Sequence, residues 1–146
     1  MTKTFDMRFM RYMNLFSRVT RVRANHAFLY NNMIVFVVSH GSIDRAIGKN
    51  NENLRRVSEI LGKRIRVVSE PRGLRDINGF VSVIISPLKF KGLEVVESNE
   101  AGEKEILIST TGRENKAMLI GRERAREKEL KDILEQYFGI KNVKIL

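Results

Sequence analysis

The chain has no cysteine among its 146 residues. That excludes a disulfide framework, a thiolate metal site and a cysteine nucleophile. Two histidines are too few for a histidine-rich metal site. No apolar run approaches the roughly 18 residues a membrane span needs; the longest, Met33 to Val38, has the length of a strand. The N-terminal stretch carries Arg8, Arg11, Arg18, Arg21 and Arg23 but no apolar core or small-residue cleavage site, so no secretory signal is expected there. The expectation is a soluble, cytoplasmic protein without membrane or small-molecule partner and without cofactor. Glutamine is nearly absent beside abundant Lys, Arg and Glu, which suits a thermophile. Abundant asparagine argues the other way.

Basic residues are in excess. Twenty-seven Lys and Arg against seventeen Asp and Glu leave a formal charge of +10. Such an excess usually marks a polyanion partner, most often nucleic acid; a merely solvated surface is the plainer alternative.

The most informative feature is a repeat. Ile47-Gly48-Lys49 and Ile120-Gly121-Arg122 are the same element written twice. Val57 and Leu130 each lie nine residues after their glycine, Ile60 and Ile133 twelve, Leu61 and Leu134 thirteen; Ile34 and Leu107 each lie fourteen before it. Matched flanks argue for a duplicated supersecondary unit. Two units of about seventy residues would each hold a marginal core, so they are expected to pack as one rigid body.

Periodicity supplies the elements. Phe9, Tyr12, Met13, Phe16 and Val19 give one apolar face to a helix over 5–20. Strands are expected over 27–30 and 33–38, joined at Asn31-Asn32, because Asn tolerates the positive φ of a tight hairpin. Ser42 is placed to cap a short helix ending at Ile47. A second helix runs from Glu52 to Leu61, Gly62 stops it, and 64–68 forms a strand with Arg64 and Arg66 outward. Residues 71–91, holding both prolines, are expected to connect the units, with Phe80 to Ile85 a short helix or strand. The second unit, 92–146, repeats the order: strands over 93–97 and 105–110 around a turn at 99–102, helices over 113–120 and 125–138, Gly139 as the stop and a strand over 143–146. Its stop glycine lies 18 residues after Gly121, against 14 from Gly48 to Gly62. The difference is one helical turn.

A glycine between two helices lets a ligand approach the backbone, and the following helix start aims amides at an anion. With a strand on either side the order is β-α-loop-α-β, that of a KH core, whose GxxG loop clamps about four nucleotides of single strand. Arg45-Ala-Ile-Gly-Lys-Asn-Asn-Glu-Asn-Leu54 and Leu61-Gly-Lys-Arg-Ile65 resemble the first KH domain of archaeal NusA-like transcription termination factors. Leu119-Ile-Gly-Arg-Glu-Arg124 and Tyr137-Phe-Gly-Ile-Lys-Asn-Val-Lys-Ile145 resemble the second. The resemblance covers essentially the whole chain. It implies an α+β fold of two tandem type II KH domains, with residues 1–70 as the first, and binding of single-stranded RNA during transcription elongation or termination, with RNA polymerase as a further partner.

Both loops depart from the family pattern. The second glycine is Asn51 in one and Arg124 in the other. Asn visits left-handed conformations, so the first loop is expected to keep its shape. Arg124 is disfavoured there by roughly 1–2 kcal/mol, and Glu123 adds a carboxylate. The segment 117–130 is otherwise rich in helix formers, so a kinked or continuous helix stands there as an alternative to an interruption at Gly121. Gly48, Lys49, Asn50 and Asn51 are the expected phosphate site, with Ile47, Leu54 and Ile65 as groove floor, although core packing is the simpler role for Leu54. Arg55, Arg56, Arg64 and Arg66 are candidates for phosphate or base edges. Gly121, Arg122 and Arg124, with Arg126, would attract the backbone in the second unit.

No catalytic constellation is present. His26 and His40 have no local partner in sequence. Gly121 to Arg124 lacks the Gly-Lys-Ser/Thr ending of a phosphate loop, and the acids mostly alternate with bases on helix faces, as in Glu127-Lys128-Glu129. The expectation is a non-enzyme. A competing reading is a protein-interaction module, docking on RNA polymerase or a ribosomal particle with degraded loops. The missing glycines favour that reading and the net charge favours RNA.

Overall fold

A computed structural model describes residues 7–97 and 100–146. The chain divides into two compact α+β units, Met1–Glu70 and Pro71–Leu146. In the first, α1 (Met7–Thr20) precedes the hairpin β1 (Ala24–Tyr30) and β2 (Met33–Val38), then α2 (Ile43–Ile47), α3 (Glu52–Leu61) and β3 (Arg64–Ser69). The second unit has α4 (Ile77–Ile85), β4 (Gly92–Glu97), β5 (Lys104–Ser109), α5 (Arg113–Ile120), α6 (Ala125–Phe138) and β6 (Ile140–Ile145). Both read α-β-β-α-α-β. The stretch read as a connection thus supplies α4, the counterpart of α1, to the second unit. Residues 5 and 6 of the expected first helix, and Asn99 of the expected turn, lie outside the described residues.

Each unit holds a three-stranded sheet with its second strand in the centre, antiparallel to the first and parallel to the third. Asn31 and Asn32 turn the first hairpin at φ 51° and 59°, the pair of left-handed residues that a two-residue type I′ turn demands. The β-branched and aromatic run of β2 is buried throughout, as a central strand requires. In this unit Phe16 of α1 stacks on Phe36 of β2 with ring centroids 4.3 Å apart. Ala46 of α2, Val57 of α3 and Val67 of β3 complete the core around them. Ser42 stands at the N-cap of α2 but makes no side-chain capping bond. Helices α3 and α6 end on left-handed glycines, Gly62 and Gly139, both at φ 68°.

In the second unit Phe80 of α4 meets Tyr137 and Phe138 of α6, at centroid distances of 5.2 and 5.7 Å. The extra turn of α6 supplies both partners. Just before α4, Asp76 accepts from the Arg72 backbone amide at 2.7 Å and from its guanidinium at 3.0 and 3.3 Å. These bonds hold the Asp76 carboxyl down at about 2. A depressed carboxyl stabilises the fold above its unfolded pKa, near 4. That contribution fades as pH falls from about 4 through about 2. Asp76→Asn is accordingly expected to lower Tm at pH 7, and the gap from the unsubstituted protein to close between pH 4 and pH 2. Thermal melts of both proteins across that range check it; a gap independent of pH would exclude the ion pair as its cause.

Candidate functional site

The two glycine loops have one backbone conformation. Gly48 lies at φ 79°, ψ 173° and Gly121 at φ 79°, ψ 169°. Two residues on, Asn50 (55°, 34°) matches Glu123 (53°, 32°). Asn51 (60°, 24°) matches Arg124 (63°, 24°). In each a tight 3-10 turn follows: the Asn51 amide donates to the Gly48 carbonyl at 3.3 Å, and the Arg124 amide to the Gly121 carbonyl at 3.1 Å. The interruption at Gly121 forms, and the alternative of a continuous or merely kinked second helix does not. Chain geometry overrides local propensity because α5 and α6 are both anchored, by Leu119 on one side and by Leu130, Ile133 and Leu134 on the other, all buried. The link between them has only the residues of the first loop in which to reverse.

Each glycine is required by its surroundings as well as by its φ. A Cβ on Gly48 would sit 2.8 Å from Asn53 Nδ2. One on Gly121 would sit 2.8 Å from the Arg126 backbone nitrogen. The chain of each following helix therefore closes over its glycine five residues on. Asn53 also donates through Nδ2 to the Arg45 carbonyl at 3.2 Å, tying the start of α3 to α2. Asn53 was not singled out in the sequence, although it stands at the same offset from its glycine as Arg126 does from Gly121.

Lys49, Asn50 and Asn51 are exposed, and Ile47 and Gly48 half-buried. This contiguous set forms one convex loop at the start of α3. Arg55 and Arg56 are exposed within the next turn of that helix. Leu54 and Ile65 pack against the core of the unit. Arg64 and Arg66 are not brought to the loop: β3 begins beyond the far end of α3, ten residues and about 15 Å of helix away. Arg64 instead donates to the Asn31 carbonyl at the hairpin turn, at 3.1 Å. The Arg66 pKa is lowered by burial and then by the charge of Arg64.

In the second loop Arg122, Glu123 and Arg124 are exposed. Acids of α6 engage its cations: Arg124 pairs with Glu127 at 2.6 Å, and Arg126 with Glu129 at 2.8 Å. The loops share a backbone but differ in charge. Across Arg45–Arg56 four bases face one acid, while across Arg122–Glu129 four bases face three.

Among the described residues no group of three or more His, Asp or Glu is placed to hold a metal, and no helix is long and apolar enough to cross a membrane. No family model matches the chain. It is similar to the probable transcription termination protein NusA of Methanococcus vannielii, 26% identical over 133 residues, which are 91% of this chain and 73% of that protein. It is also similar to the crystal structure of APE1850, with 28% identity and a TM-score of 0.68, over 97% of this chain and 100% of that one. A NusA-like relative thus parallels nearly the full chain.

Proposed function

We propose that this chain is a NusA-like transcription factor built of two tandem type II KH domains, and that its first glycine loop grips the backbone of single-stranded RNA. The carrying observation is that loop: a glycine that admits a close backbone approach, a helix start behind it, and Lys49 with two asparagines exposed on it. Backbone amides at a helix start favour a phosphate, and a neighbouring cation adds to that field. The α-β-β-α-α-β order of both units and the similarity to an archaeal NusA support the reading. The second loop takes a lesser share, because Glu123 repels phosphate and Glu127 and Glu129 draw Arg124 and Arg126 to themselves. RNA polymerase is the protein partner this reading implies, and the role is non-catalytic.

Fluorescence anisotropy with a single-stranded RNA across a salt series tests it. Affinity should fall steeply with salt, since bound phosphates release counterions. Lys49→Asp with Asn50→Asp should weaken binding at least tenfold and flatten the salt slope. Binding indifferent to both salt and the substitutions would overturn the loop assignment.

A further inference from the structure

We propose that the exposed arginine face of α1, continued by the turn after it, is a second nucleic-acid backbone site on the first unit, separate from the glycine loop. Residues 7–43 contain five arginines, no lysine and no carboxylate; Asp6 precedes them and the next acid is Asp44. Arg8, Arg11 and Arg18 are exposed on α1, and Arg21 and Arg23 are exposed between α1 and β1. At 100° per residue the three helical arginines fall within an arc of about 80°, centred about 120° from Phe16, over about 15 Å of axis. That length meets more than one phosphate.

The repeat supplies an internal control. α4 stands at the same place in the order of elements of the second unit and contains no charged residue at all. The structural duty of this helix therefore asks for no cations. Concentrating five arginines between residues 8 and 23 costs self-repulsion, which a polyanion relieves. All five are arginine, the side chain whose planar fork binds phosphate bidentately.

Arg21 adds an independent sign. It holds φ 61°, where its amide donates to the Ser17 carbonyl at 2.9 Å and closes α1. This is a left-handed helix terminus, the position glycine fills most easily, and Gly62 and Gly139 fill it in this chain. An arginine is kept here against its backbone preference.

That the polyanion is RNA rests on the function proposed above; the site itself does not use the glycine loop. Full-length protein is titrated with oligouridine of 4 and of 20 nucleotides. Arg8→Gln with Arg11→Gln and Arg18→Gln, substitutions that keep good helix formers, should weaken 20-mer binding at least tenfold and leave the 4-mer nearly unchanged. The log–log salt slope should flatten by about 2, three contacts at about 0.7 each. In the Lys49→Asp, Asn50→Asp background a salt-sensitive residue of 20-mer binding should persist and vanish when the arginine substitutions are added. Arg21→Gly separates binding from folding: Tm should hold or rise while 20-mer affinity drops.

An arginine triple variant with unchanged 20-mer affinity and slope overturns the second site and leaves the loop reading standing. Loss in the triple variant with none in the loop variant overturns the loop and upholds α1. Binding to phosphatidylserine vesicles that the triple variant abolishes, with RNA binding untouched, overturns the nucleic-acid assignment in favour of a membrane surface.

Discussion

Gly121→Ala is expected to destabilise the second unit by about 3–4 kcal/mol, and Gly48→Ala the first by about 2–3. The shared part is conformational. At φ 79° with ψ near 170° both glycines occupy a region essentially closed to other residues, and strain of this kind costs about 1–3 kcal/mol. The difference lies in what a methyl group would strike. At Gly121 it meets the Arg126 backbone nitrogen at 2.8 Å and Cγ at 2.7 Å. That backbone belongs to α6, which Leu130, Ile133 and Leu134 hold in place, so it has little freedom to retreat. At Gly48 the nearest atoms are Asn53 Nδ2 and Cγ, at 2.8 and 2.9 Å. A side chain can swing away, but it then gives up its bond to the Arg45 carbonyl, a loss of about 0.5–1.5 kcal/mol. Urea unfolding of both variants decides the point. A Gly48→Ala cost equal to or above that of Gly121→Ala would show that the backbone of α6 yields.

The same comparison shows what was legible in the sequence. Glycines with matched apolar flanks located both loops and both following helices to the residue, because a glycine between two amphipathic patterns is a strong local signal. The conformation of the second loop was not legible. Glu123 and Arg124 are good helix formers, and nothing local marks them as left-handed; the constraint comes from the two anchored helices they join. The helix α4 was equally hidden. Its sequence, Ile-Asn-Gly-Phe-Val-Ser-Val-Ile-Ile, is apolar with an internal glycine and shows no clear alternation between faces. Periodicity cannot separate a buried helix from a buried strand in so short a run. The first helix was legible because its charges mark an outer face. Arg64 and Arg66 were placed on the right strand, but local sequence could not show that this strand starts beyond the far end of α3.

Phe16→Ala is expected to cost about 3–5 kcal/mol, the usual range for truncating a fully buried aromatic. Phe16 has no exposed surface, and its ring lies 4.3 Å from that of Phe36 at an interplanar angle of 22°. It is the residue through which α1 enters the core shared by α2, α3 and the sheet. A deletion there leaves a cavity that Phe36, in the central strand, cannot collapse to fill. Phe9→Ala removes the same side chain from a half-buried position and should cost about half as much, since the buried area lost sets the transfer term. Phe16→Leu, which nearly fills the space, should recover most of the loss. Urea denaturation gives all three values. A loss below about 1 kcal/mol for Phe16→Ala would mean that α1 is held by its rim rather than by this contact. The consequence reaches function, because a detached α1 can no longer present Arg8, Arg11 and Arg18 on a fixed arc. Phe16→Ala should therefore lower affinity for long RNA together with stability, whereas the arginine substitutions lower affinity alone.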